Sequence, residues 1–169
     1  MRRQRSTSRI ISDFRRQNGS VQKNMTTLRK MIESDLEPVA ELEQEAFSDA
    51  WKKQSILDTL HQPQAFISVA EQEGVVVGYC IVYFALDEAE IARVAVKKNV
   101  RRQGIAHQLM DYTCKCCSKL GIQRLLLDVR ESNLPARAFY QKYGFDEDGI
   151  RKGFYDSPKE DAVLMSIVL

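Results

Sequence analysis

The sequence predicts an α/β fold, an α+β mixed sheet with flanking helices, and three observations carry that reading. Segments with the two-residue period of strands alternate along the chain with segments of helical period. One strand–helix–strand unit, Glu90–Val96, Gly104–Leu120 and Ile122–Val129, requires two parallel strands in one sheet. The chain closes on Phe145–Ile150 and Asp161–Val168, which read as an antiparallel pair and make the sheet mixed.

The elements follow in order. Thr26–Ile32 is a short strand. Ser34 or Asp35 caps the next helix, with Glu37 at the capping-box position relative to Ser34. Leu36, Val39, Ala40, Leu42 and Ala46 then recur at helical spacing through Phe47. Lys52–His61 is a second short helix. Ala65–Ala70 and Val75–Leu86 are strands joined by a Glu73-Gly74 turn. In Gly104–Leu120 the residues Ile105, Leu109, Tyr112, Cys116 and Leu120 are expected to share the buried face, with Gly121 ending the helix. Pro135–Tyr143 is a helix entered from a Ser132-Asn133 turn and ended by Gly144. The order β-α-α-β-β-β-α-β-α-β-β contains no repeat and no linker, so residues 25–169 read as one domain.

Charge is unevenly placed. Residues 1–24 carry seven basic side chains against Asp13 alone, whereas the rest of the chain carries 18 basic and 22 acidic ones. The first 24 residues lack sustained hydrophobic periodicity and read as a basic, disordered extension. Their Arg- and Ser-rich bias suits an organelle transit segment, or equally a stretch upstream of Met25 as the effective start of the domain. The mildly acidic domain favours a basic partner over nucleic acid, leaving contact with RNA to the extension. No apolar run approaches the roughly eighteen residues of a membrane span. Three of the four cysteines, Cys114, Cys116 and Cys117, crowd one helix away from Cys80, and His61 and His107 complete no metal-ligand spacing with them. These read as reduced thiols of a cytoplasmic protein, with no metal expected.

The most informative stretch runs from Val94-Ala95-Val96 through Arg101-Arg102-Gln103-Gly104-Ile105-Ala106. A strand feeds a short basic loop, and Gly104 and Ala106 open a helix. Unpaired N–H groups at the positive end of a helix dipole make a site for a pyrophosphate. Gly104 lets the backbone approach closely, Ala106 is too small to block it, and Arg101 and Arg102 bring charge. Taken alone the spacing also suits an ordinary strand-to-helix turn. It is neither a Walker loop nor a dinucleotide fingerprint, since no Gly-Lys-Ser/Thr and no third glycine follow.

On these residues the chain resembles the GNAT acetyltransferase superfamily, whose R/Q-x-x-G-x-G/A signature fits Arg101–Ala106. Within it the chain is similar to the RimI group of protein N-terminal amine acetyltransferases. The resemblance is carried by Asp87-Glu88-Ala89, Val94-Ala95-Val96, Arg102-Gln103-Gly104, Val129-Arg130-x-Ser132-Asn133 and Ala138-Phe139-Tyr140-x-x-x-Gly144-Phe145, in order from Thr26 to Leu169. It implies a central mixed sheet whose parallel strands splay to admit acetyl-coenzyme A. Val94, Ala95 and Val96 would pair with the pantetheine arm. Arg101 and the run Arg102, Gln103, Gly104, Ile105, Ala106 and His107 would wrap the pyrophosphate, and Asn133 would lie near the arm.

The chemistry of acetyl transfer to an amine needs a base for the ammonium, donors for the thioester oxygen and an acid for the departing thiolate. Tyr140 holds the family's general-acid position, and a phenol with an ordinary pKa of about 10 is protonated at neutral pH. A core tyrosine ending a helix would occupy the same place. Two carboxylates compete as base. Asp128 stands in Asp-Val-Arg where the RimI pattern has Glu-Val-Arg, shortening its reach by roughly an ångström. Glu90 stands where histone-type relatives carry their base. Trp51, in Phe47-Ser48-Asp49-Ala50-Trp51, and Tyr155, in Arg151-Lys152-Gly153-Phe154-Tyr155, are expected to wall the acceptor site, unless they simply pack a loop edge.

The implied function is transfer of acetyl from acetyl-coenzyme A to a protein N-terminal amine, with a small-subunit ribosomal protein as acceptor. Acetylation of a small amine or a lysine, and cofactor binding without turnover, are the alternatives.

Overall fold

A computed structural model of the chain describes residues 25–169; the extension 1–24, and the expectation of disorder placed on it, lie outside the described residues. Seven strands form one sheet: β1 (Thr26–Lys30), β2 (Ala65–Gln72), β3 (Val75–Ala85), β4 (Glu88–Val96), β5 (Arg124–Arg130), β6 (Asp146–Asp156) and β7 (Lys159–Val168). Their order is β1-β2-β3-β4-β5-β7-β6. Only β4 and β5 run parallel, which is the βαβ unit expected from the sequence. Four α-helices accompany them: α1 (Leu36–Ala46), α2 (Lys53–Leu60), α3 (Ile105–Lys119) and α4 (Leu134–Tyr143).

Strand alternation divides the core between the two faces of the sheet. Cys80 and Val82 of β3 and Leu125, Leu127 and Val129 of β5 point toward α3 and α4, where Met110, Cys117 and Tyr140 meet them. Tyr79 and Ile81 of β3 point the other way, onto Val39, Leu42 and Ile56 of α1 and α2. On that second face α1 packs on β3 and β4, and α2 packs on β2. The face over β5 and β7 therefore carries no helix, and a trough remains there.

Two local expectations are corrected. Ser34 does not cap α1. Residues Glu33–Asp35 form a single 3-10 turn instead, and Asp35 accepts from the Ile32 N–H at 2.9 Å while Arg29 grips both its oxygens. A carboxylate that already serves a guanidinium and a strand end fixes the turn better than a serine hydroxyl. On α3 the buried face is Ile105, Leu109, Met110, Thr113 and Cys117; Tyr112 and Cys116 lie half-buried, and Leu120 is exposed. Thr113 is admitted to the core because its hydroxyl meets that of Ser68 at 3.3 Å.

The hairpin turn at Glu73-Gly74 stands as read, both residues taking positive φ. The last two strands are longer than their hydrophobic pattern suggests, because β6 runs on through Arg151–Tyr155 with a break in register.

Candidate active site

β4 and β5 pair only from Glu88 and Arg124 to Ile91 and Leu127. Beyond that point β4 follows β3 alone, and a bulge at Ala92, between the Val82–Ile91 and Ile81–Arg93 pairs, bends it away. Along Val94–Val96 the backbone groups on the β5 side are left without a strand partner. The strands part around a cavity of about 520 Å³ lined by Glu90, Val94, Asp128, Asn133, Tyr140 and Tyr155 among others. A second cavity of about 510 Å³ opens over the uncovered trough, with Tyr83, Glu88, Glu90, Asp128, Arg151 and Leu164 in its walls. Asp128 and Glu90 belong to both.

The loop after β4 makes the anion site that the sequence describes. Arg102 and Gly104 both take positive φ, which turns successive backbone N–H groups to one side. Gly104 is the N-cap of α3 and offers no side-chain cap, so the N–H groups of Ile105, Ala106 and His107 find no acceptor among the described residues. This entrance fits a diphosphate. Arg101 departs from its expected part: its Nε donates to the Val96 carbonyl at 2.8 Å, bracing the loop from within. Asn133 likewise has a structural task, its Oδ1 accepting from the Ala136 N–H at 3.2 Å as the cap of α4, while the residue still borders the cleft. His107 stands edge-on to the Tyr143 ring at 4.9 Å, facing the α4 side.

The two carboxylates differ in setting. The Asp128 side chain is 6% exposed, with Oδ2 3.2 Å from Arg151 Nη1. Its Oδ1 is buried without a hydrogen-bond partner. Burial raises the Asp128 pKa, and the Arg151 charge pulls it partway back. Glu90 is exposed on β4 and makes no ion pair among the described residues.

Tyr140 lies against Phe139 and Phe145, with ring centroids 5.2 and 5.5 Å away, and borders the cleft. Its hydroxyl has no hydrogen-bond partner among the described residues, and burial raises its pKa well above the ordinary phenol value. Four free thiols complete the titratable groups of this face; burial pushes Cys80 and Cys117 up to about 12, which keeps them protonated and unreactive.

Trp51 and Tyr155 do not wall one pocket. Tyr155 borders the cleft, with the Arg130 guanidinium 4.1 Å above its ring. Trp51 lines a neighbouring pocket with Tyr83, Thr59 and Gln62. Arg93 links the two regions, stacking over Phe47 at 4.6 Å and Trp51 at 5.4 Å. Behind it lies a group that sequence reasoning missed. Glu43 of α1 is fully buried, accepts from the Tyr79 hydroxyl and from the Trp51 N–H at 2.9 Å, and pairs with Arg93 at 3.2 Å. Its position on the apolar stripe of α1, four residues after Val39, was the available signal.

A diphosphate-binding helix entrance, a parted pair of parallel strands and a buried base candidate with no enzyme nucleophile beside it define an acyl-coenzyme A-dependent acyltransferase. The comparisons agree. The acetyltransferase (GNAT) family model matches residues 33–145. A Bacillus subtilis relative is 34% identical over 148 residues, 87% of this chain and 98% of its own. The ribosomal protein bS18-alanine N-acetyltransferase of Escherichia coli K12 is 30% identical over 146 residues, 85% and 97% of the two chains. The crystal structure of the ribosomal-protein-S18-alanine N-acetyltransferase from Escherichia coli superposes with a TM-score of 0.78 at 29% identity, covering 85% of this chain and 94% of that one. This chain belongs to the GNAT acetyltransferase family and is an N-acetyltransferase. Members of this family take the acetyl group from acetyl-coenzyme A.

Proposed function

We propose that the enzyme acetylates the N-terminal amine of a protein, of the kind that its E. coli relative modifies on ribosomal protein bS18, with Asp128 as general base and Tyr140 as general acid. The observation that carries this is the unpartnered Asp128 Oδ1, buried where the donor cleft and the uncovered trough meet. Arg102–His107 and the free edge of Val94–Val96 hold the donor, whose thioester supplies the activated acetyl group. An acceptor ammonium lying in the trough gives a proton to Asp128, directly or through one water, and attacks as the neutral amine. The Tyr140 hydroxyl, protonated at neutral pH, donates to the departing sulfur. Glu90, solvated at the mouth of both cavities, draws the ammonium in rather than deprotonating it.

The trough suits an extended chain end, since Tyr83, Leu126 and Leu164 provide an apolar floor beside the carboxylates. Four free thiols, two of them buried, fit a reducing cytoplasm where ribosomal proteins are made.

The test is thiol release from acetyl-coenzyme A with peptides that differ in their first residues. Transfer to free N-terminal alanine but not to N-terminally blocked, lysine-containing peptides is expected. Turnover confined to polyamines or lysine side chains would overturn the reading.

A further inference from the structure

We propose that Arg151 is a positioning residue for acetyl transfer: it holds Oδ2 of Asp128 so that Oδ1 meets the acceptor as a carboxylate. The inference rests on the reading of Asp128 as the base.

The surroundings of Asp128 single out Arg151. Around the two cavities stand Tyr83 from β3, Glu88, Glu90 and Arg93 from β4, and Arg130 from β5. Arg151 and Tyr155 come from β6, Tyr140 from α4 and Asp49 from the α1–α2 connection. Three of these groups are cations. Arg93 is engaged by Glu43 at 3.2 Å and Asp49 at 3.3 Å. Arg130 is engaged by Glu160 at 3.3 Å and by the face of Tyr155. Arg151 alone pairs with Asp128. A carboxylate this buried, flanked by Glu90 and two phenols, takes up a proton readily without a cation beside it. A protonated Asp128 cannot accept another from the acceptor.

The geometry also aims the carboxylate. Asp128 registers with Leu164 on β7, and Arg151 registers with Ala162 one strand further on, so the guanidinium reaches diagonally across β7. The strand break just after Arg151 is pinned by Asp161, which accepts from Lys152 Nζ at 2.7 Å and the Gly153 N–H at 2.8 Å. That break turns Phe154 back so that its ring lies 5.6 Å from the Arg151 guanidinium. Oδ2 is thereby occupied, and Oδ1 is the oxygen left for the substrate.

The test is the pH dependence of kcat and kcat/KM for the wild type, R151Q, R151K and D128N. Arg151 is about half exposed, so both replacements leave the core intact. For R151Q the acid limb should move to higher pH by about one unit, with kcat about ten-fold low at pH 7 and recovering toward pH 9. R151K, which keeps the charge, should return the limb most of the way. The KM for acetyl-coenzyme A should not change. An inactive D128N together with an R151Q limb that coincides with wild type would overturn the role of Arg151 and leave the base in place. A D128N enzyme at wild-type rate would remove the base and this inference with it.

Discussion

Ile91 and Leu127 are the last residues that β4 and β5 share as a pair, and everything the enzyme does lies just past them. Up to that pair the two strands belong to an ordinary parallel ladder. After it, β4 follows its bulge and β5 continues beside β7, so a polar slot opens inside a sheet that is otherwise continuous.

The carboxylates can be told apart by substitution. D128N should lower kcat/KM by about 10²–10⁴-fold, whereas E90Q should cost less than about ten-fold, since a solvated steering charge is worth less than a proton acceptor. Stability should move the opposite way. Burial raises the Asp128 pKa above its ordinary value of 3.8, so its contribution to stability is fully present below that value and falls as pH rises through the raised one. D128N removes the charged form and should melt at or above the wild-type temperature at pH 7, measured by calorimetry.

Tyr140 tests the acid. Y140F removes a hydroxyl that bonds to nothing among the described residues and keeps the ring against Phe139 and Phe145. The fold should be unaffected, the KM for acetyl-coenzyme A unchanged and kcat reduced about 10²-fold. Because the pKa of Tyr140 is raised, its deprotonation should add no alkaline loss of activity below pH 10 in the wild type.

Gly104 tests the donor site. Its φ of +81° costs an alanine about 1–2 kcal/mol, although a Cβ there meets no protein atom within 4 Å. G104A should therefore fold, with Tm lower by roughly 2–8 °C. Its methyl group would stand where the diphosphate approaches, so calorimetric affinity for coenzyme A should fall at least about ten-fold.

Glu43 tests the acceptor wall. E43A leaves Arg93 and the Tyr79 hydroxyl without their buried partner and should destabilise the protein by about 3–5 kcal/mol in denaturant titration. E43Q keeps an acceptor for Tyr79 and for the Trp51 N–H and should recover part of that loss. In E43Q the acceptor KM should rise more than kcat falls, because Glu43 sets the Phe47–Trp51 segment and not the reacting atoms.

Much of this architecture is legible in the sequence because it is written in local patterns. The order of strands and helices follows from hydrophobic period, and the diphosphate site from a glycine and an alanine placed at a helix start. The carboxylate at Asp128 and the phenol at Tyr140 follow from resemblance and do border one cleft. What stayed hidden depends on register between distant segments. Nothing near Arg151 in the chain announces that β7 will sit between it and Asp128. Nothing local separates Glu43, wholly buried, from Glu41 and Glu45, which are not. Arg101 and Asn133 were legible as members of the site, but their own hydrogen bonds assign them to the backbone that shapes it.

The missing helix over β5 and β7 has a kinetic consequence. Donor and acceptor reach Asp128 by separate doorways, one between the strands and one along the open trough, so neither must leave before the other arrives. No covalent acetyl-enzyme is needed to hold the group between visits. Turnover can therefore run through a ternary complex in which relative affinities, rather than a moving lid, set the order of loading.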